Sequence, residues 1–134
     1  MSHENRNKHL DFIMASISRM AQNSFLARGW CVTLTSALLA VLSRLEEPPT
    51  YTLVLVPIVL FWVVDAYYLK LEREFRGLYD IVRLLPEGEI DFSMNARQAQ
   101  GNVSIANTLF SGILVFIYGG LILLVVFFIF FLEK

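Results

Sequence analysis

The stretch that decides the fold is FSGILVFIYGGLILLVVFFIFFL, residues 110–132. It consists almost entirely of Leu, Ile, Val, Phe and Gly, and no charged residue occurs from Gln98 to Leu132. A hydrocarbon core of ~30 Å is crossed by about 20 helical residues. Residues 108–132 are therefore long enough to span a bilayer with some tilt, which predicts a membrane protein.

The composition of the whole chain agrees with this prediction. Hydrophobic residues make up 56% of the 134, the mean hydropathy is +0.57, and further apolar stretches lie at residues 29–43 and 51–69. The net charge of −1 argues against a general nucleic-acid binder. A single cysteine, Cys31, excludes an intrachain disulfide and any Cys-based metal motif.

Two amphipathic stretches flank the first two spans on one side. Leu10, Ile13 and Ile17 recur at helical spacing before the first span, as do Phe75 and Val82 after the second. We expect an all-α membrane protein with three transmembrane helices, the first two extended into the cytoplasm as an antiparallel helical stalk. Helices lying flat on the lipid headgroups are the alternative. The predicted segments are a polar tail (1–8), an amphipathic helix continuing into transmembrane helix 1 (9–45), transmembrane helix 2 with its stalk (51–85), an acidic loop (86–95) and transmembrane helix 3 (96–132).

The basic residues are segregated by side. Those before the first span or between the second and third are Arg6, Lys8, Arg19, Arg28, Lys70, Arg73, Arg76, Arg83 and Arg97. The opposite side holds Arg44 and Lys134. The positive-inside rule therefore predicts a multi-pass membrane protein with a cytoplasmic N-terminus and a C-terminus that faces outward.

Two charges occur within or beside the apolar stretches. Measured from the outer turn at helical rise, Arg28 and Asp65 both lie about 22 Å deep, so they can form an intramembrane ion pair. Such a pair would reduce the cost that each charge incurs alone in hydrocarbon. The alternative is that both side chains reach the inner headgroup region independently.

Polar residues in the third helix fall close to one face. They are Ser104, Asn107, Thr108, Ser111 and Tyr118. Hydroxyl and amide groups on one face can line a pore by replacing part of an ion's hydration shell. The alternative is ordinary helix association, in which small residues allow close approach and hydroxyls bond across helices.

Arginines 73, 76 and 83 lie on roughly one side of the predicted stalk. They are candidates for binding an anion or an oligonucleotide, and a salt-bridged, solvated face is the alternative because acids are interspersed with them. No Gly-rich phosphate loop, HExxH or GxSxG motif occurs. We therefore expect neither an enzyme nor a bound metal or cofactor.

Four stretches carry a resemblance to a known family: HLDFI (9–13), ISRMAQNSFLARGW (17–30), FWVVDAYYLKLEREFRGLYD (61–80) and DFSM (91–94). They resemble small bacterial membrane proteins encoded beside nucleotidyltransferase-like genes in anti-phage defence operons, the nearest being the membrane effectors of the Hailong system. The resemblance implies an oligomeric ion channel that depolarises the inner membrane on infection. It also implies control by a nucleotide or oligonucleotide that the partner nucleotidyltransferase makes.

The expected function is accordingly a gated pore in bacterial defence, formed in the lipid bilayer by a homo-oligomer for which we expect four subunits. A non-conducting membrane adaptor that docks a cytosolic partner is the main alternative. A holin-like lysis protein is another, although the long predicted stalk is unusual for that class.

Overall fold

The computed structural model describes residues 2–44, 52–97 and 103–132, and every regular element in these ranges is helical. Helix α1 runs over Ser2–Leu42 and helix α2 over Leu55–Val82. Helix α3 covers Ile105–Leu109. The next helix begins with α4 at Gly112–Leu114, passes through a π-helical turn at Val115–Gly119 and continues as α5 over Gly120–Leu132.

Three helical segments are long and apolar enough to cross a membrane. They are Glu4–Leu42, Thr52–Val82 and Gly112–Phe131. The prediction of an all-α protein with three helices able to span a bilayer is confirmed. At 1.5 Å per residue, α1 is about 60 Å long, or roughly twice the ~30 Å hydrocarbon thickness. Much of α1 therefore extends past any single crossing.

Helices α1 and α2 form an antiparallel hairpin with two apolar clusters along it. The first cluster contains Cys31, Leu42, Val54, Ile58, Ala66, Leu114, Tyr118 and Val125. The second contains Ile13, Ile17, Leu78, Val82, Ile90 and Ala96. The start of α1 thus packs on the end of α2, and its end packs on the start of α2. Residues 112–132 join the hairpin only at the first cluster.

The second cluster includes several residues of the predicted amphipathic stripes. Ile13, Ile17, Leu78 and Val82 are all buried between the two helices. The chain then crosses this end of the hairpin as a 3-10 turn at Glu87–Glu89 and a segment without regular structure through residue 95. This segment contributes a further apolar side chain, because Ile90 is also buried in the cluster.

The structure differs from the predicted segments at both ends of the chain. Residues 2–8, expected as a polar tail, are helical, and the Lys8 ammonium lies 2.6 Å from the Glu4 carboxylate one turn away. Such pairs stabilise exposed helical turns. The prediction of one helix over 96–132 is wrong within its described part, because the helix is interrupted at Phe110 and Ser111.

The backbone dihedral angles of Phe110 and Ser111 produce the interruption. Phe110 leaves the helical conformation at φ −94° and ψ 18°, and Ser111 is extended at φ −64° and ψ 142°. The helix restarts at Gly112. Apolar periodicity could not reveal the break, because the stretch 110–132 is apolar on every side.

Candidate functional site

The candidate site is a buried polar network where the three spans meet. Asp65 of α2 is completely buried and lies opposite Arg28 of α1. The Arg28 Nε atom donates to Asp65 Oδ2 at 2.7 Å, and a second guanidinium nitrogen lies 3.3 Å from Oδ1. The structure therefore brings together the two charges that the sequence singled out, in a bidentate geometry.

Two hydroxyls complete the surroundings of the Asp65 carboxylate. Ser24 Oγ, one turn before Arg28, donates to Asp65 Oδ1 and accepts from the Arg28 guanidinium at 3.0 Å. The Tyr118 hydroxyl lies 3.1 Å from Asp65 Oδ2 and 3.2 Å from the Phe61 carbonyl. Asp65 of α2 thus has hydrogen-bond partners from the other two spans, which satisfies a carboxylate that would be costly to bury alone.

A tryptophan connects this network to the helix break. The Trp62 ring stacks on the Tyr118 ring with centroids 5.9 Å apart and planes 6° apart. Its indole Nε1 donates to the Leu109 carbonyl at 3.0 Å. The carbonyl of the last residue of α3 has no helical partner beyond the break, so the indole supplies one. Trp62 therefore fixes the position of the break relative to α2.

The five candidate pore-lining residues do not share one environment. Tyr118 and Thr108 are buried inside the protomer, and the Thr108 hydroxyl donates to the Ser104 carbonyl at 3.0 Å. Ser104 and Asn107 are exposed on α3. Ser111 is partly buried, and its Oγ has no hydrogen-bond partner among the described residues. Tyr118 and Thr108 are thus covered within the chain itself, whereas Ser104 and Asn107 are exposed and Ser111 is partly exposed.

Two of the three candidate arginines at 73, 76 and 83 form ion pairs with neighbouring carboxylates. Arg76 lies 2.7 Å from Glu72, and Arg83 lies 3.1 Å from Asp80. Arg73 has no ion-pair partner in the part of the chain that the structure describes. At 100° per residue, the three arginines fall within an arc of about 80°. They therefore share one side of α2, as expected, and neighbouring carboxylates offset most of their charge.

Two contributors were missed by sequence reasoning. Ser24 precedes Arg28 by four residues, and this spacing places both on one helix face. This four-residue spacing could have identified Ser24 as a neighbour of Arg28. Trp62 is harder to find, although a partly buried indole N–H usually requires an acceptor. The acceptor here is the Leu109 carbonyl, which becomes free only because the helix breaks.

The chain matches no protein-family model, no curated protein and no solved structure. Within residues 2–44, 52–97 and 103–132, no three His, Cys, Asp or Glu side chains are grouped so that they could hold a metal ion.

Proposed function

We propose that this chain forms a homo-oligomeric, gated ion pore that depolarises the bacterial inner membrane in anti-phage defence. The observation that carries the proposal is the break at Phe110 and Ser111, directly before an apolar span. Irregular backbone at membrane depth is tolerated where it is covered by protein or lines a water-filled cavity. Discontinuous membrane helices are a recurring way of building ion sites.

The polar surface beside the break supports the same proposal. Ser104 and Asn107 project from α3 and are exposed in the protomer. Symmetric copies or water in a pore would supply polar neighbours for this amide and hydroxyl, which precede the apolar span at Gly112–Phe131. Ser111 Oγ, at the break itself, also lacks a partner among the described residues. We assign the conduction path to Ser104, Asn107 and Ser111.

The proposed orientation follows from the distribution of basic residues. In the proposed arrangement, the N-terminus is cytoplasmic and the C-terminus periplasmic. The second cluster then lies in the cytoplasmic stalk, and the buried Arg28 and Asp65 pair lies near the inner boundary of the bilayer. The hairpin thereby forms a rigid support for the third span, to which Asp65 is connected through Tyr118.

Single-channel recording in planar bilayers tests the proposed path. Ser104→Leu and Asn107→Leu replace exposed polar groups by an apolar side chain that dewets a narrow pore. We expect each to at least halve the conductance without changing oligomer size. The matched control is Ser36→Leu, at an exposed serine of α1. Wild-type conductance in both variants, or no current from the wild-type protein, would contradict the proposal.

Control of the pore by a nucleotide or oligonucleotide from a partner nucleotidyltransferase is a second part of the proposal. Its support is the shared side of arginines 73, 76 and 83, on which Arg73 has no ion-pair partner within the described residues. Each phosphate that an arginine neutralises releases counterions, which makes binding dependent on salt.

Replacing these three arginines by Gln should weaken oligonucleotide binding and flatten its salt dependence. For a single strand, losing three phosphate contacts lowers the slope of log K against log salt by about 2. Fluorescence anisotropy over a salt series measures both quantities. Arg44→Gln, on the opposite side of the proposed bilayer, is the control. An unchanged slope in the triple variant would exclude this face as the binding site.

An adaptor that docks a cytosolic protein is the second candidate function. It is favoured by exposed apolar side chains beside the second cluster, since Phe12 and Leu84 are 66% and 77% exposed. Exposed apolar patches often mark interaction sites. Absence of current from a correctly assembled oligomer would favour the adaptor over the pore.

A further inference from the structure

A cavity of about 380 Å³ lies beside the second cluster. It is formed between α1 and the segment of residues 90–95 that crosses the end of the hairpin. It is lined by Asn5, Lys8, His9, Phe12, Phe92 and Met94. This volume falls within the range of small-molecule sites. Neither the buried ion pair nor the proposed conduction path uses these residues.

His9 is the unexplained group in this cavity. His9 is 5% exposed, and its Nε2 atom has no hydrogen-bond partner within the part of the chain that the structure describes. The ring packs edge-on against Phe92, with centroids 5.5 Å apart. A buried polar atom without a partner costs about 1–3 kcal/mol. A ligand that pairs with Nε2 would remove this cost.

The Phe92 backbone is held in an unfavourable conformation at the same place. Its φ of 55° lies in the left-handed region, which bulky residues rarely adopt. Such conformations cost of order 1–3 kcal/mol and cluster at ligand sites. Here the conformation leaves Phe92 about half exposed at the cavity, where Phe12 is also exposed. The cavity therefore has two aromatic side chains available for packing against a flat ligand.

The charge of the cavity distinguishes between classes of ligand. Lys8 lines it, but its ammonium is already held 2.6 Å from the Glu4 carboxylate. An anion at this ammonium would also face the Glu4 carboxylate, whereas an uncharged ligand would not be repelled by it. Asn5 adds an amide that both donates and accepts hydrogen bonds. The cavity thus combines aromatic surface with neutral polar groups.

We propose that this cavity binds a small, uncharged heteroaromatic ring. The ring would pack against Phe12 and Phe92, while its edge nitrogens or carbonyls would pair with His9 Nε2 and the Asn5 amide. Met94, whose thioether is polarizable, would contact the ring from the crossing segment. Binding at this site requires no conduction, so the proposal stands or fails independently of the pore.

Direct binding to the purified full-length chain in detergent tests the proposal. Adenine, hypoxanthine and pterin serve as probes, and equilibrium dialysis gives their Kd. We expect saturable binding of at least one probe and a shift of the His9 ring nitrogen resonance on binding. Failure of all three probes to bind saturably would overturn the proposal.

A matched pair of asparagines distinguishes this cavity from binding elsewhere. Asn5 and Asn7 are both exposed on α1, but only Asn5 lines the cavity. Asn5→Ala should weaken binding about three- to tenfold, the equivalent of one neutral hydrogen bond, and Asn7→Ala should leave it unchanged. Equal effects of the two variants would place the probe outside the cavity and refute the assignment.

Discussion

At the scale of single residues, Asp65 of the second span connects the three spans because its carboxylate has partners from the other two. Replacing one partner of a buried charge usually costs more than replacing both, since the remaining charge is left uncompensated. Ser24, Arg28 and Tyr118 therefore act as a unit with Asp65. Their individual contributions are not additive, and a double-mutant cycle is the appropriate measurement.

Arg28→Gln and Asp65→Asn should each lower the free energy of unfolding by about 3–5 kcal/mol. The double variant should lose much less than the sum, because neither charge remains unpaired. Denaturant unfolding in mixed micelles measures the three values, and the unfolding slope must stay constant across the cycle. Strictly additive losses would mean that the two charges do not interact.

Tyr118→Phe should lower stability by about 1.5–3 kcal/mol, the range for a hydrogen bond to a charged group. Tyr67→Phe is the matched control, because Tyr67 is exposed and its ring contacts Tyr68. We expect the control to stay within ~0.5 kcal/mol of wild type. Equal losses in the two variants would show that the Tyr118 hydroxyl does not stabilise the protomer.

At the scale of elements, the break before the third span depends on Trp62. The indole donates to the Leu109 carbonyl, and its ring packs on Tyr118 beyond the break. The Trp62 side chain therefore contacts the chain on both sides of the interruption. The π-helical turn at Val115–Gly119 lies next to this contact and includes Tyr118. Such turns often occur at functional sites.

Trp62→Phe should leave the Leu109 carbonyl without its donor and cost about 1–3 kcal/mol. Faster amide hydrogen exchange across residues 109–119 should accompany the loss, because the break would open more readily. Trp30→Phe, at an indole that is 57% exposed, is the control. Unchanged exchange in the Trp62 variant would mean that the break is set by the local backbone alone.

The helices also show which features of the fold could be predicted from the sequence. Length and hydropathy were sufficient for three helices able to span a membrane, because a span requires only a long apolar run. Helical periodicity identified Ile13, Ile17 and Val82 as residues of apolar helix faces, and these residues are buried together in the second cluster. The break at Ser111 could not be found in this way, since periodicity carries no information where every face is apolar.

At the scale of the whole molecule, the candidate site was only partly predictable. Equal depth identified Arg28 and Asp65, because helical rise converts residue number into distance. Position on one helix face grouped Tyr118 with Ser104 and Asn107, although Tyr118 is buried inside the protomer. Position on a helix face does not determine which neighbour covers that face. Only the packing of α2 against the third span settles this question.

The orientation of the molecule in the membrane remains a prediction, and cysteine labelling tests it directly. Cys31 is replaced by Ser to give a background without native thiols, and single cysteines are introduced at Pro48 and Gly88. Because most basic residues lie on the side of Gly88 and only Arg44 and Lys134 on the side of Pro48, the positive-inside rule predicts that a membrane-impermeant maleimide labels intact cells at position 48 only. Lysed cells, in which both positions should react, provide the control. Labelling at 88 but not at 48 in intact cells would reverse the proposed orientation and place the second cluster and its cavity outside the cytoplasm.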